Sequence, residues 1–167
     1  YIIHLNAILE KNIDNKKALY LLGLCYAHKG NHENARLIFE NLMERGEFDY
    51  VFQATEKICE EQPDDAQYLN LKARSLVALG REEEAFNLIE KYLEDHPEKL
   101  SDFLSTFDVL INKQPRLADR ILPRYEKYRE EDSFVADLAI ARAYAFSGEY
   151  DKAVKIFERL FEDEENK

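Results

Sequence analysis

Apolar residues recur every three or four positions along almost the whole chain, and no stretch alternates with a period of two for long enough to make a strand. The clearest case is 98–113, where Leu100, Phe103, Leu104, Phe107, Leu110 and Ile111 form one stripe. The pattern predicts ten helices, at about 1–12, 16–29, 33–45, 48–62, 66–79, 82–95, 98–113, 116–130, 134–147 and 149–163. Connections of about two to four residues make consecutive helices antiparallel. Gly30, Gly80 and Gly148 each follow a predicted helix, where the closing residue takes a left-handed backbone. Pro63 and Pro97 follow others. Asp64, with Gln67 three residues on, is placed to cap the helix that begins near 66. Pro123 falls inside 116–130 and predicts a kink or an early break there.

The helices also repeat. The stretches LGLCYAHKGNHENARLIF (22–39), KARSLVALGREEEAFNLI (72–89) and IARAYAFSGEYDKAVKIF (140–157) align on their glycines. A small residue stands seven before the glycine (Gly23, Ala73, Ala141) and a large one four before (Tyr26, Leu76, Tyr144). An alanine stands five after (Ala35, Ala85, Ala153) and a large apolar residue nine after (Phe39, Ile89, Phe157). Small residues let two antiparallel helices approach closely while the large ones fill the space between them.

This arrangement resembles the tetratricopeptide repeat, a helix–turn–helix unit of about 34 residues. The resemblance covers 16–45, 66–97 and 134–163, with Pro97 where that family closes its second helix. It implies an all-α solenoid of antiparallel repeats wound into a right-handed superhelix. The whole of 1–167 is then one domain, with additional helices at 1–12 and 48–62. Gly80 and Gly148 are 68 residues apart, twice the repeat, so a degenerate copy is expected at 98–131. There Ala118, Leu122 and Tyr125 align with Ala85, Ile89 and Tyr92, although Gln114 replaces the glycine. Gly30 and Gly80 are only 50 residues apart, which leaves two readings. Either 48–62 is an inserted helix that exchanges inner and outer helices after it, or 33–62 is itself a degenerate repeat read from Gly46. Both disturb the regular superhelix near 46–65.

Composition narrows the function. At 167 residues and 46% hydrophobic, the chain can bury a core, which excludes disorder despite 34% charged residues. The net charge of −11, from 34 acidic and 23 basic residues, repels phosphate backbones, so nucleic acid is not expected as a partner. No run of about 18 apolar residues is present, so membrane insertion is not expected either. Cys25 and Cys59 make no disulfide framework, and the reading is of a cytoplasmic protein in which both stay thiols. The chain opens at Tyr1 and reads as a piece of a longer protein, so a missing signal peptide carries no weight.

No catalytic constellation stands out. Cys25, His28 and His32 have a passable metal-ligand spacing, but Gly30 interrupts the helix and only Glu33 follows as a fourth ligand. A core-flanking cysteine beside two exposed turn histidines is the plainer reading, and no metal or other cofactor is expected. Carboxylate clusters such as Glu82, Glu83 and Glu84 lie on solvated helix faces. The chain reads as non-catalytic.

Two charged features suggest binding. Arg74, Asp108 and Arg142 occupy one position on three successive first helices, with Gln67, Asn70, Leu104 and Leu138 nearby. In the resembled family that position faces a concave groove, where an arginine can fork onto a carboxylate of a bound peptide. A competing reading is a ladder in which Asp108 bridges the two arginines. The family's clamp for chaperone tails needs Lys and Asn four apart on one first helix; Asn70 with Arg74, and Leu138 with Arg142, do not fit it. The second feature is a ridge of Arg116, Arg120, Arg124 and Lys127, either a solvated face or a dock for an acidic partner. The resemblance implies a non-catalytic scaffold or adaptor that binds a protein or peptide through its groove; a ligand- or peptide-sensing regulatory domain is the alternative. Finally, only a short polar tail follows the last copy, so an apolar edge around Phe161 is expected to meet further chain, a partner or a second copy.

Overall fold

Residues that close helices fix most of the boundaries. The computed structural model describes residues 1–165, with side chains to Glu162, and these residues form ten α-helices. They are α1 (Ile2–Lys11), α2 (Lys16–His28), α3 (His32–Glu44), α4 (Phe48–Glu61) and α5 (Ala66–Ala78). The rest are α6 (Glu82–Asp95), α7 (Leu104–Lys113), α8 (Ala118–Tyr128), α9 (Ser133–Phe146) and α10 (Tyr150–Glu165). Gly30, Gly80 and Gly148 take φ of 77°, 77° and 87°, and Gly46 joins them at 77°. At Gly80 the amide donates to the Val77 carbonyl and the Arg81 amide to Leu76; Gly46 and Gly148 repeat the pair on Met43 and Leu42, and on Ala145 and Tyr144. Only a residue without Cβ takes this left-handed turn without strain.

Three expectations need correction. The cap of α5 is Asp65, whose carboxylate accepts from the amides of Gln67 and Tyr68, and not Asp64. The stripe at 98–113 is not one α-helix: Pro97–Phe103 form a 3₁₀ turn before α7. Three residues per turn set Leu100 and Phe103 one above the other, and both are buried. The segment 116–130 likewise starts with a 3₁₀ turn, Pro115–Leu117, and α8 then runs unbroken through Pro123. The carbonyl that loses its amide partner there belongs to Asp119, and Asp119 and Pro123 are both exposed, so water can serve it.

The chain divides into two compact units, Tyr1–Tyr92 and Leu93–Lys167. In the first, α2 packs against α3 and α4, and α5 against α3 and α4. Phe39, Leu42, Val51, Ala54 and Tyr68 are fully buried at its centre, and α1 adds Leu5 against Ala18 and Leu22. The Tyr68 hydroxyl bonds His32 Nδ1 at 3.0 Å, and the Tyr92 hydroxyl donates to the Asp64 carbonyl at 3.0 Å. In the second unit, α9 packs against α7, α8 and α10. Its fully buried residues include Phe103, Phe107, Leu110, Ile111, Ile121, Tyr125 and Ala141.

Arginine–carboxylate pairs join Arg74 to Glu40 and Arg142 to Asp108, and each pair is 34 residues apart. α3 and α5 are therefore related as α7 and α9 are. That relation belongs to the frame read from Gly46, which stands 34 residues before Gly80.

Candidate functional site

The two arginines in equivalent repeat positions are held differently. Arg74, on α5, forks onto Glu40 of α3, Nη1 to Oε1 at 2.5 Å and Nη2 to Oε2 at 3.0 Å. Both side chains are well exposed, at 37% and 41%. Arg142, on α9, donates through Nη2 to Oδ2 of Asp108 on α7. Here the partners are unequal: Arg142 is 40% exposed and Asp108 only 6%. The second carboxylate oxygen, Asp108 Oδ1, is buried without a hydrogen-bond partner. Arg142 is thus a surface cation anchored on a buried anion.

Leu104 and Leu138 stand one turn before Asp108 and Arg142, and both are half-buried. Gln67 is exposed and Asn70 half-buried on α5, in the first unit with Arg74. Asp108 does not hold Arg74 as the ladder reading expected, because the Arg74 fork is on Glu40. Sequence reasoning missed Glu40. Its signal was Gly46, which carries the repeat frame back by one copy and leaves charge alternating at Glu40, Arg74, Asp108 and Arg142. It also missed Phe134 and Phe146, 46% and 38% exposed on α9. With Leu138 and Arg142 they complete a row at four-residue steps.

The basic ridge lies on α8 and the turn before it. Arg116, Arg120 and Lys127 are exposed and Arg124 is half-buried. Arg116 donates to Gln114 Oε1 at 3.2 Å. Arg124 and Lys127 reach a cavity of about 360 Å³ floored by Leu93, Pro97, Leu100 and Tyr128, with glutamates on its rim. Beyond the ridge, Arg129 bonds Glu126 at 2.5 Å and also pairs with Asp137, which takes Arg159 on its other oxygen at 2.8 Å. On α10, Tyr150, Val154 and Phe161 are 68%, 51% and 67% exposed.

The metal-like spacing is otherwise engaged, since His32 bonds Tyr68. Among the described residues, no three His, Cys, Asp or Glu side chains gather as a metal site. No described helix is long and apolar enough to cross a membrane. Burial pushes the Cys59 thiol up to about 11 and the Tyr68 hydroxyl up to about 12. Neither group is poised to act as a nucleophile or base near neutral pH.

Two family models described as tetratricopeptide repeat match the chain, one over residues 4–49 and the other over residues 138–163. No curated protein matches it.

Proposed function

We propose, from the premise that this chain is a tetratricopeptide repeat protein, that it is a non-catalytic scaffold or adaptor. Tetratricopeptide repeats generally mediate protein–protein interaction and are typically non-catalytic. The binding surface in this reading is the face of the repeat helices that carries Gln67, Asn70, Arg74, Leu104, Asp108, Leu138 and Arg142. The observation behind it is Arg142, held at the surface by a buried carboxylate beside two half-buried leucines. A side chain fixed in advance loses little freedom when a partner arrives. A cytoplasmic setting, with Cys25 and Cys59 as thiols, goes with this reading, and Arg116, Arg120, Arg124 and Lys127 offer a second, electrostatic contact for an acidic partner.

The experiment is site-specific photocrosslinking in lysate. A photoreactive residue at Leu138 should yield a discrete protein adduct, and one at the exposed Lys155 of α10 should not. Equal adducts from both positions, or none from either, would refute the assignment.

The cavity beside Tyr128 favours a second reading, a regulatory domain that senses a ligand or peptide. In that case a fractionated metabolite pool should raise the melting temperature, and Tyr128→Ala should abolish the rise.

A further inference from the structure

Taking the binding face above as given, we propose that its part on α9 receives an amphipathic helix of a partner protein. The apolar face of that helix carries one carboxylate, four residues from one apolar anchor and eight from the other.

Phe134, Leu138, Arg142 and Phe146 follow one another at four-residue steps, which makes one inclined ridge on α9. Its ends are phenylalanines 46% and 38% exposed, and its one polar member is Arg142. The ends lie twelve residues apart, about 18 Å along the helix at 1.5 Å per residue. A partner helix repeats side chains in the same steps of about 6 Å. An extended strand repeats them at about 6.7 Å and slips by about 2 Å over the three steps. The ridge therefore matches a helix better than a strand.

Charge names the central residue of the partner. A guanidinium offers five N–H donors, and only Arg142 Nη2 is engaged, on Asp108. The remaining donors face a partner that brings an acceptor, and a lysine there would be repelled. Two phenylalanines closing over the contact exclude water and strengthen the charge-assisted bond. Arg74 differs, because Glu40 already occupies its fork in a bidentate pair.

The test is selection from a displayed library of helical peptides of about 16 residues, with the intact protein as bait. Peptides that the parent enriches should carry Asp or Glu with apolar residues four positions to one side and eight to the other. For the best peptide, followed by fluorescence anisotropy, Arg142→Gln should weaken binding about tenfold or more and abolish the preference for Glu over a Gln analogue. Phe134→Glu should weaken it comparably, while Arg45→Gln, in the first unit, should leave it unchanged. Circular dichroism checks folding, and if Arg142→Gln unfolds, the exposed Phe134 decides. Enriched peptides that lack the acid, or that ignore both α9 changes, would overturn this inference and leave the protein-binding reading standing. Failure to enrich any peptide would remove both.

Discussion

A Cβ on Gly23 would stand 2.5 Å from Cε1 and 2.8 Å from Cζ of Phe39, a ring with no exposed surface. The contact lies between α2 and α3 and explains why the small position of this copy is glycine. At the frame-equivalent positions of the next copy stand Ala73 and Ile89, a larger small residue with a slimmer partner. Alanine in a helix interior ordinarily gains about 1 kcal/mol over glycine. Overpacking a rigid ring costs about 1–3 kcal/mol and here outweighs it. Gly23→Ala should destabilise, and in the Gly23→Ala/Phe39→Ile double variant most of that loss should vanish. Urea unfolding of the four proteins gives the coupling energy, expected above about 1 kcal/mol. Additive effects would show that the ring moves freely out of the way.

The two ion pairs should respond unequally. Arg74→Ala leaves Glu40, 41% exposed, free to return to water, and should cost under about 1 kcal/mol. Arg142→Ala strands the carboxylate of Asp108, 6% exposed, and should cost about 2–4 kcal/mol. Adding Asp108→Asn to Arg142→Ala removes the stranded charge and should restore part of the loss. Thermal melts that rank Arg74→Ala as the worse change would contradict this account.

The helices were legible because one apolar stripe per helix and a closing glycine are local signals. The α7 segment was misread because the stripe Leu100–Ile111 fits a 3₁₀ start as well as an α-helix; what differs is the tighter turn after Pro97. Asp64 and Asp65 are both capping residues, and only the backbone at 65 shows which carboxylate meets the amides of Gln67 and Tyr68. Arg142 and Asp108 were findable as a pair because repetition at 34 residues brings equivalent positions together. Their inequality was not, since burial of Asp108 depends on how α7 packs against α9.

Stability should fall in alkali. The folded Cys59 thiol titrates at about 11 against 9.0 for the free group, because burial penalises the thiolate. The folded state therefore holds its proton more tightly. The contribution is complete below pH 9 and is lost as pH rises from 9 to about 11. Tyr68 adds a similar loss from 10 to about 12. Lysines also discharge in this range, so the measurement is a difference. Between pH 8.5 and 10.5 the melting temperature of the parent should drop more than that of Cys59→Ala. Parallel curves would mean that the thiol ionises in the folded protein without penalty.

The exposed row on α10 should make the protein associate weakly with itself. Val154 and Phe161 lie seven residues apart, two helical turns, and are 51% and 67% exposed. Pairing such faces in two copies removes a few hundred Å² of apolar surface, several kcal/mol at about 25 cal/mol per Å². Association itself costs about 4–15 kcal/mol in lost freedom, so the two nearly cancel. The dimer should therefore be evident at about 100 µM and absent at about 1 µM. Phe161→Glu places a charge on the face and should abolish it without changing the helical signal, since this side chain contributes little to the core. Light scattering across that concentration range is the measurement. A parent that stays monomeric throughout would show that the row does not pair with its own copy.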